Sequence, residues 1–339
     1  MKTRKYHLDY LKAIAVFLVV VHHCLAQAFG AESCPPAADL IINLIYSVHV
    51  PLFLLIAGYL SHSQEYGSYI KKKAKRILVP FAFFSLLKIF FSIFVSGEYS
   101  HSGSLTGLFS DAFIYGNTYW FAYTVFLMFA AVPYLWHAKK SGNCLIMTVP
   151  ILVLSFVAGA LLEHSDRNSA INLFQIRNYI INLPYFITGY LIQVYEESLG
   201  LFFKLHRRCI TLLASGAVIC ISVLLYTYTI VFSVTVKYLL SFPLMVLIYS
   251  AVRLIPGDVS LLTDFSSYSL QVMFFDSVFR VIFFKVFSAL TGAGFITAIL
   301  TVPAVIFCSY LSCKVCERFA FSSFLTGLNY KRVPENNES

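Results

Sequence analysis

The sequence predicts an all-α fold: a polytopic membrane bundle of ten transmembrane helices with both termini cytoplasmic. Three observations predict it. Of 339 residues, 59% are hydrophobic and only 12% are charged, where a soluble domain runs near a quarter charged. The apolar runs are continuous over about 20 residues, the length a helix needs to cross the hydrocarbon core. Basic residues are dense in alternate loops and sparse in the others, as the positive-inside rule requires. The same figures exclude disorder, a disulfide-stapled secreted scaffold and, because the runs do not alternate, a β-barrel.

The ten runs lie near 11–29, 41–62, 76–96, 119–137, 144–163, 179–195, 209–229, 235–254, 265–287 and 293–314. The first opens at Lys12 and carries Ala13–Val21 before two histidines; the second carries His49 and ends near His62. The third follows the cationic cluster Lys71–Arg76, and the fourth opens on Tyr119 and closes before Lys139 and Lys140. The fifth ends at Glu163, the sixth holds Pro184, and the seventh follows Lys204, Arg207 and Arg208. A short Thr/Ser-rich turn separates it from the eighth, which Arg253 closes; the ninth holds Asp276, and Lys314 ends the tenth. With the N-terminus inside, 19 of the 25 basic residues fall on cytoplasmic segments. Nine or eleven helices would scramble that alternation.

A basic start, Ala13–Val21 and Ala26-Gln27-Ala28 also imitate a secretory signal. The paired histidines before the supposed cleavage site, and the charge alternation, favour a retained first helix. Residues 1–330 read as one membrane domain and 331–339 as a polar tail. The net charge of +9 belongs to the inner face, where anionic lipids attract it; nucleic-acid binding is not called for, and no oligomeric state is legible. Eight cysteines, including a lone Cys313–Cys316 pair, lack the further ligands a zinc or redox site needs, so no metal is expected.

Ionisable side chains within a span mark functional sites by default. Lys12 and His23 are 11 residues apart, about three turns plus 20°, so they share one stripe with His23 roughly 16 Å deeper. His22 is rotated by about 100° and is expected to face elsewhere. His49 lies 13 residues from His62, roughly 20 Å in, and His23 roughly 18 Å in, so the two histidines reach matched depth. The competing reading makes each a hydrogen-bonded core residue.

Larger blocks carry a resemblance. Leu8–Ala15 followed by His22-His23, with ten residues between Lys12 and His23, resembles the opening of the integral membrane acyltransferase family 3. His49-Val50-Pro51-Leu52-Phe53 leading to Gly58-Tyr59-Leu60 resembles its second helix, and Lys72–Phe81 its basic, proline-ended third. Tyr119-Trp120-Phe121 and Leu183–Leu191 fit later spans, and Ser267–Leu270 resembles a late Ser-Tyr-Ser-Leu. The histidine that follows that motif in many members is Phe274 here, with Asp276 nearby. The resemblance implies transfer of an acyl group, usually acetyl, from cytoplasmic acyl-CoA to a carbohydrate hydroxyl at or across a bacterial cytoplasmic membrane. Acceptors in such a family are lipid-linked sugars and other cell-envelope glycans.

The residues support that chemistry. Lys12, Lys72, Lys73, Lys75 and Arg76 form an inner basic surface suited to the phosphates of acyl-CoA, and the resemblance implies acetyl-CoA as the donor. His23 is the expected general base or transient acyl carrier, and His49 the second catalytic residue, orienting His23 or serving the acceptor. Tyr10, Tyr119 and Trp120 are candidate oxyanion or substrate contacts, and Asp9 is expected to pair with Lys12. Asp111, Asn117, Glu163, Asp166 and Arg167 are candidate acceptor contacts in the outer loops. The rival class is a proton-coupled carrier or flippase, which intramembrane histidines and proline-bearing spans also suit.

Overall fold

The computed structural model describes residues 5–30, 34–91, 93, 104–164, 170–228, 232–292 and 294–330. Lys2, Arg4, Asp166, Arg167 and the 331–339 tail lie outside them. Among the described residues every regular element is helical. They are α1 (Tyr6–Phe29), α2 (Pro36–Tyr46), α3 (His49–Tyr59), α4 (Tyr66–Phe91), α5 (Leu105–Phe109), α6 (Trp120–Lys140) and α7 (Cys144–Leu161). There follow α8 (Ile176–Val194), α9 (Glu196–Tyr228), α10 (Val234–Val252), α11 (Ser260–Ser267), α12 (Ser269–Thr291), α13 (Phe295–Cys316) and α14 (Ala320–Thr326).

Among the described residues each of the ten apolar runs falls on helix, residues 94–96 of the third run lying outside them, but seven segments are long and apolar enough to cross a membrane: α1, α2–α3, α6, α7, α9, α10 and α13. The other three runs coincide with α4, α8 and α12, whose polar content explains the shortfall. Lys71–Arg76 occupy the first turns of α4, Asn178, Asn182 and Gln193 interrupt α8, and Asp276, Arg280 and Lys285 lie in α12. The second run is not one helix. It breaks at Ser47 and Val48, so that His49 opens a new helix whose third residue is Pro51. Proline near a helix start has no N–H to lose. The two halves differ in packing: α2 buries none of its residues, whereas α3 buries eight of eleven. The ninth run is likewise divided, at Tyr268.

What anchors α3 is α8. A Cβ on Gly58 would overlap the Phe186 carbonyl, and one on Gly189 would overlap the Leu55 carbonyl. Only glycine lets two helix backbones approach so closely, the small-residue packing that membranes favour where no hydrophobic force separates protein from lipid. Tyrosine hydroxyls then pin neighbouring helices through backbone carbonyls. Tyr190 donates to Leu135 at 2.9 Å and Tyr238 to Ile181 at 2.8 Å. The Trp136 ring N–H donates to Ser61 at 3.0 Å. At the end where α1, α4 and α9 begin, Lys5 bonds both Tyr59 (2.6 Å) and Glu196, tying α1 to α3 and α9.

Candidate active site

A cavity of about 140 Å³ opens where α1, the α2–α3 break, the start of α6 and the first turns of α12 meet. His22 and His23 enter it from α1, Tyr46 and His49 from the two sides of the break, Thr118, Tyr119 and Trp120 from α6 and its approach, and Met273 and Phe274 from α12. The matched depth read for His23 and His49 is therefore a shared cavity wall. It lies well inside the bundle: 11 residues of α1 separate His23 from Lys12, about 16 Å along the axis.

His23 Nδ1 is 2.7 Å from Asp276 Oδ2. With Asp276 as the acceptor, the bond holds the ring proton on Nδ1 and leaves Nε2 as the accepting nitrogen. The His23 side chain is 38% exposed while that of Asp276 is 1% exposed, so the carboxylate is a buried brace behind an accessible ring. Arg280, one turn further along α12, approaches the same Asp276 oxygen at 3.4 Å and also bonds Gln27 of α1. His49 uses its Nδ1–H differently, donating to the Ile45 carbonyl at 2.7 Å across the helix break, and is itself 2% exposed.

Several expectations are corrected here. His22 does not face away: its ring centroid lies 4.9 Å from that of His49, 5.4 Å from Tyr46 and 5.6 Å from His23. The 100° rotation was right in itself, but α2 wraps the flank of α1 and carries the cavity wall around with it. His49 does not orient His23, since its Nδ1 is spent on Ile45; Asp276 takes that place. Tyr10 is remote from the cavity. Its hydroxyl donates to the Gly257 carbonyl and accepts from the Val259 N–H, both at 2.7 Å, latching α1 to the loop before α11. Asp111 does not line the cavity and sits in the turn at Ser110–Ile114, where its carbonyl accepts from the Asn117 N–H. Glu163 is occupied in accepting the Val234 N–H at 3.0 Å.

Tyr119 and Trp120 do line the cavity; the Tyr119 hydroxyl bonds Ser277, and its ring packs 5.1 Å from Phe274. Phe274, at the position of the expected late histidine, stacks on Phe84 at 5.2 Å. The Asp9–Lys12 pair forms at 2.8 Å. Lys72, Lys75 and Arg76 are exposed on one end of α4, but Lys73 turns inward with its ammonium 3.7 Å from the Phe129 ring centroid. Burial lowers the Lys73 pKa to about 8, with Arg76 adding repulsion. Among the described residues, no group of three or more His, Cys, Asp or Glu side chains is arranged to hold a metal ion.

A family model described as an acyltransferase domain, that of acyltransferase family 3, matches residues 5–314. The chain belongs to acyltransferase family 3. Neither curated proteins nor solved structures gave a match. Membership and the seven long apolar helices make this family member a multi-pass membrane acyltransferase. Three parts of its site escaped the sequence reading: the Asp276–Arg280–Gln27 chain behind His23, the inclusion of His22, and Tyr46. The one signal available was the aspartate two residues beyond the missing histidine.

Proposed function

We propose that this acyltransferase moves an acyl group, acetyl in the first instance, from cytoplasmic acyl-CoA to a hydroxyl of a lipid-linked or other cell-envelope carbohydrate. It would do so in the cytoplasmic membrane of a bacterium, with ten crossings and both termini inside. The observation that carries the reading is the His23–Asp276 bond at 2.7 Å, which turns the free Nε2 of a half-exposed imidazole into a cavity lined with aromatic and hydroxyl groups.

Acyl-CoA would rest its phosphates on Lys72, Lys75, Arg76 and Lys12, with Lys73 behind them. Its pantetheine arm would follow the α1 stripe towards His23. The acceptor hydroxyl loses its proton to His23 Nε2 as its oxygen attacks the thioester carbonyl. Asp276 stabilises the imidazolium that results. The C–S bond then breaks, CoA leaves as thiolate, and the His23 proton neutralises it. Atoms balance: acyl-CoA and alcohol give ester and CoA thiol. In the competing route His23 Nε2 attacks first and carries the acyl group. Tyr119, on releasing its bond to Ser277, would donate to the oxyanion, and the aromatic Trp120 would stack on a sugar face. His49, with its free Nε2 on the same cavity, serves the acceptor side.

The test is release of CoA thiol from acetyl-CoA by protein in phosphatidylcholine vesicles supplied with an envelope-glycan extract. Release that needs both extract and His23 is expected. Release that survives in His23→Ala protein would overturn the assignment, and uptake of sugar without CoA would favour a carrier.

A further inference from the structure

The end of the bundle away from Lys72–Arg76 is poor in cations, yet three of those it holds contact residues at or behind the wall of this cavity. Lys88 of α4 lies 12 residues beyond Arg76, about 18 Å along the helix, and donates to the Thr118 hydroxyl at 2.8 Å. Thr118 lines the cavity. Lys237 of α10 is only 3% exposed, and its ammonium lies 4.5 Å from the centroid of Tyr46, another lining residue. Arg280 stands behind His23 through Asp276.

Against these three cations the cavity sets one carboxylate, Asp276, which Arg280 and His23 already share. Among the described residues neither Lys88 nor Lys237 has an ion-pair partner. A cation buried without an ion-pair partner inside a membrane bundle, as Lys237 is, is costly. A cluster of that kind is stable in use when an anion completes it.

Resting on the transferase reading above, we infer that the acceptor is acidic. It carries a carboxylate or a phosphate that Lys88, Lys237 and the free edge of Arg280 hold while its hydroxyl faces His23. The cations select the acceptor and fix its orientation, while Trp120 and Tyr46 supply stacking faces for the sugar ring. A uronic-acid sugar and a phosphate-linked sugar both have the chemistry required.

Trp120 reports the site directly. In Trp136→Phe protein it is the only tryptophan left of two, and its fluorescence in pure phosphatidylcholine vesicles can be titrated with glucuronate, glucose 1-phosphate and glucose. Saturable quenching by one or both acids, at least about tenfold tighter than by glucose, is expected, since a charge-assisted contact contributes about that factor or more. The acid that quenches names the source of the anion. Lys88→Gln, an exposed position that does not threaten folding, and Lys237→Gln should each weaken that quenching about tenfold without altering any response to glucose. Equal quenching by all three sugars, no quenching, or titrations unmoved by both variants would overturn the inference.

A second arm separates it from the transferase reading. The envelope extract is split by anion exchange, and each pool is assayed for CoA release. Release with the neutral pool alone sinks the acidic acceptor and leaves the transferase. Acid-selective quenching with no release from any pool sinks the transferase and leaves the anion site.

Discussion

Replacing Asp276 with Asn tests the brace behind His23 while keeping size and shape. The carboxylate oxygen that accepts from Nδ1 at 2.7 Å is in a side chain 1% exposed, so no water can take its place. A buried charge-assisted bond of that kind contributes about 1.5–3 kcal/mol, or roughly 10- to 150-fold. The amide adds a second defect, because its NH₂ can donate to Nδ1 and drive the ring proton onto Nε2. The nitrogen facing the cavity would then be unable to accept. A correctly placed general base contributes about 10²–10⁴, and the equivalent tautomer error in a serine protease triad costs about 10⁴. Arg280 keeps Gln27 and partly preserves the α1–α12 contact, so a kcat fall of about 10²–10³ is expected. KM for acyl-CoA should hold, because the basic end lies about 16 Å away along α1. The assay is steady-state CoA release in vesicles, with a thermal melt confirming folded protein. His23→Ala and the double variant should be equally inactive, since the pair acts as one unit. Asp276→Asn protein with kcat within about threefold of wild type, or a loss confined to KM for acyl-CoA, would refute the reasoning.

Four further outcomes are expected. His22→Ala should lower kcat/KM for the acceptor about tenfold, the scale of one lost polar contact, because the ring lines the cavity beside His49; unchanged kinetics would return His22 to a purely structural role. Tyr10→Phe leaves the Gly257 carbonyl and Val259 N–H without their partner, so it should cost about 1–3 kcal/mol of stability in a melt, with turnover per folded molecule retained. Gly189→Ala drives a methyl into the Leu55 carbonyl; overpacking costs about 1–3 kcal/mol even against side chains, so loss of folded protein is expected, read by size-exclusion in detergent. Lys73 carries its charge below a pKa lowered to about 8 by burial and sheds it as pH rises. KM for acyl-CoA should therefore climb as pH passes upward through 8, and Lys73→Arg, which stays charged, should flatten that climb.

Hydropathy located every long helix because burial in lipid asks for little else than length and apolar content. It missed the break at Ser47–Val48, since Ile45, Val48 and Val50 keep the run apolar straight through it. It shortened α9, whose first turns mix Glu196, Glu197, Lys204, Arg207 and Arg208 among apolar residues and so fall outside the continuous run. The site was half legible. His23 and His49 stood out as ionisable groups at one depth, but depth says nothing of which side chains touch. Asp276 lies 253 residues from His23, and no helical period connects positions that far apart. The wheel argument failed at His22 for a related reason: it gives a direction around α1, not what stands there. Tyr10 misled in the other direction, because a tyrosine near a membrane interface looks the same whether its hydroxyl meets substrate or a backbone turn.

The break between α2 and α3 has an evolutionary consequence. Since α3 crosses α8 backbone to backbone through Gly58 and Gly189, its residues are confined to a narrow set of volumes, and His49 inherits that rigidity. On α2, which buries no residue, substitutions meet little resistance. One wall of the cavity is therefore tightly constrained by packing, while the wall that carries Tyr46 is under little packing constraint. Substitutions in α2 can reshape the Tyr46 wall of the cavity while the His49 wall keeps its form.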